Sequence, residues 1–373
     1  MNRRKFALSA AGAAALATSS SSIPMQAATP PKKITPWSPG IKMALQLGGN
    51  PGDEDLDFMN QVGAYHAAVT IDRKDDNVEN MRRIKAKVES AGLRVWNIGH
   101  DGNRNQEEIV LNLPGRDERI EAYKRYLQNC GKAGIHYVTY AHMGNGIWHT
   151  ERETTRGNAS ARGYNMAKGG EGLWAGKIFK GPLSHGRVYT ENELWDNYEY
   201  FIRRVAPVAV ENNVFIGIHP DDPPAPMLAG VPRCIFGNFE GYKRALEIAD
   251  STHVGVCFCV GTWLEGGELM GADVATAIRY FGERGKIWKV HFRNMSAPLP
   301  HFVETFVDNG YYDMYKAMRA LREVNFDGII IGDHFPTMAG GPRVAVAYTV
   351  AWIRAMIDRA NAEAAGAQST RNG

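Results

Sequence analysis

Four apolar segments in the second half of the chain end in side chains that can bind a metal ion or transfer a proton. His219 follows the apolar run 214–218 and precedes a proline, which ends a strand because it has no backbone N–H. Cys259, His291 and Asp333 stand at the ends of three later apolar runs. A buried structural histidine is the commoner explanation for any single position of this kind. Four equivalent positions on successive strands favour a common site.

Two imidazoles, a thiolate and a carboxylate make a mixed nitrogen, sulfur and oxygen ligand set. Such sets bind divalent transition ions and differ from the oxygen-only shells of Ca²⁺ and Mg²⁺. Zn²⁺, Fe²⁺ and Mn²⁺ all fit these ligand types. Each residue alone also has a structural explanation. Cys259 suits a small buried thiol, the two histidines suit a core, and Asp333 suits a helix N-cap or a salt bridge.

Further polar residues lie beside these four and offer proton transfer or substrate contacts. His334 follows Asp333 and leaves its strand in another direction, which suits a general acid or base next to a ligand. Arg293 suits bidentate binding of a substrate carboxylate. The other candidates are Asp222 for proton transfer, with Asp221, Asn294, His142 and His100 for substrate binding. The last two are more generic, since an exposed histidine explains them equally well.

These residues need a scaffold that brings the ends of several strands together. Short apolar strands alternate with amphipathic helices from about residue 33, and eight such units predict a (β/α)8 TIM barrel with its site at the carboxyl face. The predicted strands are 43–47, 67–71, 94–98, 137–140, 214–218, 254–259, 288–292 and 328–332. The predicted helices are 54–62, 77–91, 116–133, 192–211, 241–249, 273–284, 313–324 and 344–364. A doubly wound open sheet is the alternative, but no glycine-rich dinucleotide fingerprint follows the first strand.

A long insertion separates the fourth predicted strand from its helix. Residues 143–191 are rich in glycine, aromatic and basic side chains, and insertions at this face of a barrel usually serve as lids or oligomer contacts. The basic residues suit an anionic small-molecule substrate, and a homo-oligomer is a further expectation. The alternative is a surface excursion without a role in the chemistry. We place the catalytic domain at 33–365 and predict a disordered tail at 366–373.

Charge and the N-terminal sequence limit the partners and the location. The 373 residues carry a formal net charge of +3 without a basic block, which argues against nucleic acid and against an anionic membrane surface. Residues 1–30 resemble a twin-arginine export signal, because Arg3 and Arg4 precede an apolar run at 7–17. That run is too short to span a membrane. We therefore predict a periplasmic or otherwise exported protein without a stable membrane anchor.

Four cysteines in an exported chain raise the question of disulfide bonds. Cys257 and Cys259 lie two positions apart on one predicted strand, so their side chains share a face but do not reach each other with disulfide geometry. A disulfide between Cys130 and Cys234 remains an alternative. We interpret Cys259 as a thiolate ligand.

The motifs that surround these residues resemble the mannonate dehydratase family of xylose-isomerase-like barrels. They are HPDDPP at 219–224, VPR at 231–233, FC and VGT within 258–262, HFRN at 291–294, DMY at 313–315, FDG at 326–328 and DH at 333–334. The resemblance implies a (β/α)8 barrel that dehydrates D-mannonate to 2-keto-3-deoxy-D-gluconate with Mn²⁺ or Fe²⁺, in hexuronate degradation. It places the metal ligands on His219, Cys259, His291 and Asp333, and suggests His334 as the acid or base.

Two loops depart from the family pattern. Residues 306–308 stand where the family has a histidine, and residues 335–343 replace a Gly-Arg segment and a loop tyrosine. We predict a metal-dependent hydro-lyase that acts on a sugar acid, with D-mannonate as the leading substrate. One alternative is a sugar isomerase or epimerase, in which the same enediolate is reprotonated and no hydroxide leaves. Another is an exported sugar-acid binder without catalysis, which the altered loops favour.

Overall fold

Eight parallel strands form the framework of this protein. The computed structural model describes residues 40–371, with side chains as far as 365. The predicted export signal at 1–30 lies outside the described residues. The barrel strands are β1 (Lys42–Gly48), β2 (His66–Thr70), β3 (Arg94–Gly99), β4 (Tyr137–Ala141), β5 (Phe215–His219), β6 (Val254–Cys259), β7 (Ile287–His291) and β8 (Ile329–Ile331).

The pairing of these strands closes most of a barrel. β1 pairs with both β2 and β8, so the first and last strands of the series are neighbours. The ladder then continues through β7, β6 and β5 to β4, while β3 stands at the other end of the sheet. This nearly closed arrangement confirms the predicted TIM barrel. It also confirms that the ends of β5, β6, β7 and β8 lie side by side.

Helices follow the strands and pack their apolar faces on the barrel. The long helices are α1 (Asp53–Val62), α2 (Val78–Ser90), α3 (Arg116–Ala133), α4 (Glu191–Glu211), α5 (Phe239–Ala249), α6 (Val274–Glu283), α7 (Met314–Glu323) and α8 (Pro342–Arg371). Shorter helices cover Asp101–Arg104, Glu107–Val110 and Val260–Gly266. In α2 the buried residues are Met81, Ile84 and Val88, as expected for a core-facing stripe of helical spacing.

The insertion folds into two small antiparallel sheets that sequence periodicity did not predict. Its strands are Ile147–His149, Arg152–Thr155, Ala159–Asn165, Glu171–Trp174 and Lys177–Lys180. The strand Ala159–Asn165 also pairs with His301–Thr305, which in turn pairs with Asn294–Met295 just after β7. The insertion is therefore joined to a barrel loop by backbone hydrogen bonds, and its position beside the end of β7 is fixed.

Three further features bear on the predictions. All four cysteines are free, so Cys130 and Cys234 do not form a disulfide. The predicted disordered tail begins at 366, whereas α8 extends to Arg371, although Gly366, Ser369 and Thr370 have low helix propensity. Among the described residues, no helix combines the length and the apolar character that crossing a membrane requires.

Candidate metal centre and its ion-pair network

Three predicted ligands meet at the carboxyl ends of neighbouring strands. His219 ends β5, Cys259 ends β6 and His291 ends β7, and Cys259 and His291 are register partners. Their ligand atoms all lie within 4.8 Å of one another, and all three residues are buried. The imidazole nitrogens His219 Nε2 and His291 Nδ1 are 3.2 Å apart. We call these three residues the metal cluster.

Neighbouring groups orient the metal cluster for ligation. His219 Nδ1 lies 2.8 Å from the Pro220 carbonyl oxygen, which accepts a hydrogen bond from the Nδ1–H. The unprotonated Nε2 then faces the cluster. The Thr262 backbone N–H and hydroxyl donate to Cys259 Sγ over 3.3 Å and 3.2 Å. Two donors to one sulfur stabilise a thiolate. The donor types and their convergence therefore fit a divalent transition ion.

Electrostatics also favour a cation at this place. Burial opposes charge on Cys259, but Arg293 and His219 outweigh it and hold the pKa of the thiol well below its ordinary value. Burial likewise opposes charge on His291, but Asp333 and Cys257 raise the pKa of the imidazole. The Cys259 thiol is thus held in its negative form, and the surroundings of His291 stabilise positive charge. A site with these two properties suits a bound cation.

Asp333, the fourth predicted ligand, borders the metal cluster without being among its three members. Its Oδ1 is 3.4 Å from His291 Nδ1, and its Oδ2 accepts a hydrogen bond from Arg293 Nε over 3.1 Å. The backbone of Asp333 has a φ of 64°, the left-handed conformation that non-glycine residues rarely adopt. Strain of this kind is concentrated at functional sites, where the surrounding structure maintains it.

Beside the metal cluster lies a buried network of alternating charges centred on Arg293. All three guanidinium nitrogens of Arg293 face side-chain oxygens, including Asp222 Oδ2 at 2.8 Å and Glu265 Oε1 at 2.6 Å. Glu304 Oε1 accepts from the same guanidinium over 3.0 Å. These contacts favour a scaffold role for Arg293 over the predicted binding of a substrate carboxylate, because no nitrogen is left without a protein partner.

The insertion contributes a second guanidinium to this network. Arg162, on the strand Ala159–Asn165, donates to Asp222 Oδ1 over 2.8 Å, to Glu265 Oε1 over 2.5 Å and to Glu304 Oε1 over 2.8 Å. Only 12% of its side chain is exposed. We call Arg162, Asp222, Glu265, Arg293 and Glu304 the ion-pair network.

The three carboxyl groups of the ion-pair network differ in protonation. Burial opposes charge on Asp222, but Arg162 and Arg293 outweigh it and lower its pKa. Burial and the neighbouring Asp222 raise the pKa of Glu265 to about 8. The pKa of Glu304 falls to about 2, because His334 and the two arginines outweigh its burial. Asp222 is therefore a weaker proton acceptor than an ordinary carboxylate, and its catalytic role stays a prediction.

His334 connects this network to the surface of the site. Its Nδ1 lies 2.7 Å from Glu304 Oε1, and its Nε2 lies 3.9 Å from Asp333 Oδ2. Burial opposes charge on the imidazole, but Asp333 and Glu304 outweigh it and raise its pKa to about 9. At neutral pH His334 is therefore a proton donor.

Two predicted substrate-binding residues make different contacts. Asp221 Oδ1 is 3.8 Å from Arg233 Nη1 and has no hydrogen-bond partner among the described residues. Burial raises the pKa of Asp221 to about 6. The Asn294 amide donates to the carbonyl oxygens of Val307 and Tyr312 over 3.3 Å and 2.8 Å. Asn294 therefore holds the loop that follows β7.

His100 and His142 are buried rather than exposed. His100 Nε2 lies 3.3 Å from Asp76 Oδ2. His142 Nδ1 lies 2.9 Å from the Tyr140 hydroxyl, and its ring stacks near Phe201. These contacts run to the outer side of β3 and β4 and not to the metal cluster.

Sequence reasoning missed four residues of the site. Glu265, Glu304, Thr262 and Arg162 were not singled out as site residues. Thr262 carried a usable signal, because Cys259 is the N-cap of the helix Val260–Gly266 and accepts the Thr262 N–H. Glu304 and Arg162 carried none, since their position depends on the small antiparallel sheet.

Comparisons with known proteins agree with this geometry. A family model described as D-mannonate dehydratase (UxuA) matches residues 61–166 and 177–361. The mannonate dehydratase of Thermotoga maritima is 30% identical over 287 residues, which cover 69% of this chain and 77% of that protein. The mannonate dehydratase of Oceanobacillus iheyensis is 31% identical over 287 residues, which cover 69% of this chain and 76% of that protein.

Solved structures show the same relationship. The crystal structure of mannonate dehydratase from Streptococcus suis serotype 2 has a TM-score of 0.76 and 25% identity, and the match covers 88% of this chain and 95% of that chain. A xylose isomerase domain protein from Planctomyces limnophilus has a TM-score of 0.57 at 11% identity and covers 87% of this chain and 99% of that chain. The second match shows the fold alone, a xylose-isomerase-like TIM barrel.

Proposed function

This chain belongs to the D-mannonate dehydratase family and is a hydro-lyase, and we propose that it converts D-mannonate to 2-keto-3-deoxy-D-gluconate and water. The observation that carries the proposal is the convergence of two imidazoles and a thiol within 4.8 Å at the ends of β5, β6 and β7. A sugar acid carries a carboxylate and an α-hydroxyl, which suit a divalent ion held at these strand ends.

We propose that His219, Cys259 and His291, with Asp333 as the fourth ligand, hold Mn²⁺ or Fe²⁺. Zn²⁺ also fits these ligand types. When bound, the ion supplies Lewis acidity, which makes the C2 proton easier to remove and stabilises negative charge as it develops on the carboxylate. The two oxygens of Asp333 face different partners, His291 and Arg293, which supports a role for this residue in both the proposed centre and the network.

His334 is the proposed general acid for loss of the C3 hydroxyl. Its Nδ1 is held by Glu304, so Nε2 is the atom that delivers a proton. The raised pKa of His334, about 9, keeps that proton available at neutral pH. The C3–O bond breaks, the hydroxyl leaves as water with the His334 proton, and the resulting enol tautomerises to the 2-keto acid.

Removal of the C2 proton needs a base with a pKa nearer to neutrality than that of Asp222. Both oxygens of Asp222 are committed to arginines. Asp221, with a pKa of about 6, is the better proton acceptor of the two neighbouring aspartates. Asp222 instead stabilises the positions of Arg162 and Arg293.

Turnover of D-mannonate tests the proposal. The full chain is stripped of metal, supplied with Mn²⁺, Fe²⁺ or Zn²⁺ in turn, and assayed for a 2-keto-3-deoxy acid by reaction with semicarbazide. We expect metal-dependent product, its loss in Cys259→Ser, and its retention in Cys130→Ser, a control far from the cluster. An isomeric sugar acid without loss of water would instead indicate an isomerase or epimerase. Metal and ligand binding without turnover would indicate a binder.

We also propose that residues 1–30 direct export by the twin-arginine route. The paired Arg3 and Arg4 before an apolar run support this proposal. Fractionation of cells that express the wild type and a variant with both arginines changed to lysine tests it. We expect wild-type protein in the exported fraction and the variant in the cytoplasm. Equal distribution of the two would contradict export by this route.

The predicted homo-oligomer has one supporting feature. Leu173 and Ile178 are cross-strand partners on the insertion and are 46% and 56% exposed. Light scattering of the wild type and of Leu173→Ser tests the prediction. A monomeric wild type would contradict it.

A further inference from the structure

Cys257 is a buried thiol beside the metal cluster that the proposed chemistry does not use. It precedes Cys259 by two positions on β6, so the two side chains share the inward face and Cys257 lies one layer deeper. Its side chain is fully buried. Its Sγ lies 3.6 Å from His291 Nε2, within hydrogen-bond range for sulfur.

The two nitrogens of His291 face different surroundings. Nδ1 lies 3.2 Å from His219 Nε2 and 3.4 Å from Asp333 Oδ1, so this edge of the ring faces the metal cluster. Nε2 faces away from the cluster and toward Cys257. An imidazole that binds a metal through Nδ1 must carry its proton on Nε2, and that proton needs an acceptor in a buried site.

We propose that Cys257 is a positioning residue whose sulfur accepts a hydrogen bond from the Nε2–H of His291. This hydrogen bond fixes the ring for metal binding through Nδ1. The inference rests on the proposed metal centre. It gives His291 the same kind of support that the Pro220 carbonyl gives His219, where an acceptor for one nitrogen directs the other to the cluster. The two cysteines of β6 therefore have different roles. Cys259 binds the metal, whereas Cys257 accepts a hydrogen bond from the ligand His291.

The packing below the cluster keeps the Cys257 sulfur in place. The Tyr137 phenol of β4 is a further neighbour of Cys257. That phenol occupies space left by Gly217 of β5, because a Cβ at Gly217 would lie only 2.2 Å from the Tyr137 hydroxyl oxygen. A tyrosine, a glycine and a cysteine on three adjacent strands thus form one filled layer under the metal ligands. The sulfur cannot turn away from His291 without disturbing this layer.

Affinity for Co²⁺ alone, measured without substrate, tests the proposal. The full metal-free chain is titrated with Co²⁺ against a competing chelator, and the absorption from thiolate-to-cobalt charge transfer reports on the ligands. Cys257→Ala removes the acceptor, whereas Cys257→Ser keeps an acceptor on a shorter side chain. Cys130→Ala is the matched control, because Cys130 is another fully buried free cysteine, on α3.

We expect Cys257→Ala to bind Co²⁺ about 10- to 100-fold more weakly than the wild type, with the charge-transfer band retained. Cys257→Ser should fall between the two, and Cys130→Ala should match the wild type. Unchanged affinity in Cys257→Ala would overturn the proposal, and so would loss of part of the charge-transfer band, which would make Cys257 a ligand. An equal loss of Co²⁺ affinity in Cys130→Ala would show that general destabilisation, and not the role proposed for Cys257, causes the loss. Failure of the wild type to bind Co²⁺ would instead refute the metal centre itself.

Discussion

The metal cluster and the ion-pair network lie side by side but are built in different ways. The cluster takes one residue from the end of each of three consecutive barrel strands, whose parallel pairing sets their spacing. The network joins residues from the insertion, the helix Val260–Gly266, the hairpin strand His301–Thr305 and the segments that follow β5 and β7. The cluster is thus part of the barrel, whereas the network fastens the insertion to it.

Substitutions in the two regions should therefore affect different properties, activity for the cluster and folding stability for the network. Replacing a cluster residue removes a proposed ligand but leaves the barrel ladder intact. Replacing a network residue leaves a buried charge without its partner, which costs folding free energy before any chemistry is considered. His334 links the two regions, since Glu304 of the network holds its Nδ1 and Asp333 beside the cluster faces its Nε2.

His219→Gln should have the largest effect on activity and a small effect on the fold. The substitution keeps much of the side-chain volume and removes one proposed imidazole ligand. Metal polarisation supplies several kcal/mol of transition-state stabilisation, so kcat/KM should fall by about 1000-fold or more. Bound metal, measured by elemental analysis after dialysis, should fall in parallel.

The same variant tests the separation of the two regions. Thermal unfolding of metal-free His219→Gln should resemble that of metal-free wild type. A large loss of stability without metal would show that the cluster also holds the barrel together, and the comparison would then fail.

Arg162→Met should show the opposite pattern, a large loss of stability. Methionine fills part of the space but leaves three carboxyl groups, of which Asp222 and Glu304 are ionised, without one of their two guanidinium partners. Breaking a buried ion pair from one side typically costs about 3–5 kcal/mol of unfolding free energy. Urea denaturation measures the loss. Arg152→Met on the adjacent, exposed strand should change stability by less than about 0.5 kcal/mol.

Glu304→Gln should change the pH dependence of stability. The pKa of Glu304 is about 2 in the folded protein, below its ordinary 4.5, so the ionised carboxylate stabilises the fold above pH 4.5. This stabilisation, on the order of 3 kcal/mol, is lost as the pH falls from 4.5 toward 2. In metal-free protein the stability gap between wild type and Glu304→Gln should therefore be widest near pH 6 and narrow by pH 3.

Glu199→Gln, on the exposed side of α4, is the control for that experiment and should follow the wild type at both pH values. A gap that stays constant with pH would mean that the substitution acts through packing and not through the charge of Glu304.

The barrel was predictable because its sequence signals are local. Each of the eight predicted strands overlaps an observed one, since short apolar runs stopped by glycine, proline or polar residues are independent of distant contacts. The grouping of the side chains at the strand ends then follows from parallel pairing, because it places the carboxyl ends of consecutive strands together. For that reason His219, Cys259 and His291 can be grouped from the sequence alone.

The network could not be predicted because its contacts depend on long-range antiparallel pairing. Arg162 reaches Glu304 only because Phe302 and Val303 pair with Tyr164 and Gly163, some 140 residues earlier in the chain. The insertion was recognised by its composition, but its short strands alternate too little for sequence periodicity to detect them. The commitment of Arg293 to four acidic residues was hidden as well, since all four lie on segments other than its own and Glu304 is brought in by the antiparallel sheet.

Arg156→Ala should have the smallest effect on stability. It tests whether burial of the ion pair accounts for the large stability loss expected for Arg162→Met. Like Arg162, Arg156 belongs to the insertion and pairs with a carboxylate, Asp308, with Nη1 and Oδ2 2.7 Å apart. The Arg156 side chain is 45% exposed, however, so its removal opens Asp308, now 13% exposed, to water, and the cost should be under about 1 kcal/mol. Urea denaturation of Arg156→Ala beside Arg162→Met measures the contrast. Losses of similar size would show that anchoring the insertion, rather than satisfying buried charge, sets the stability of this region.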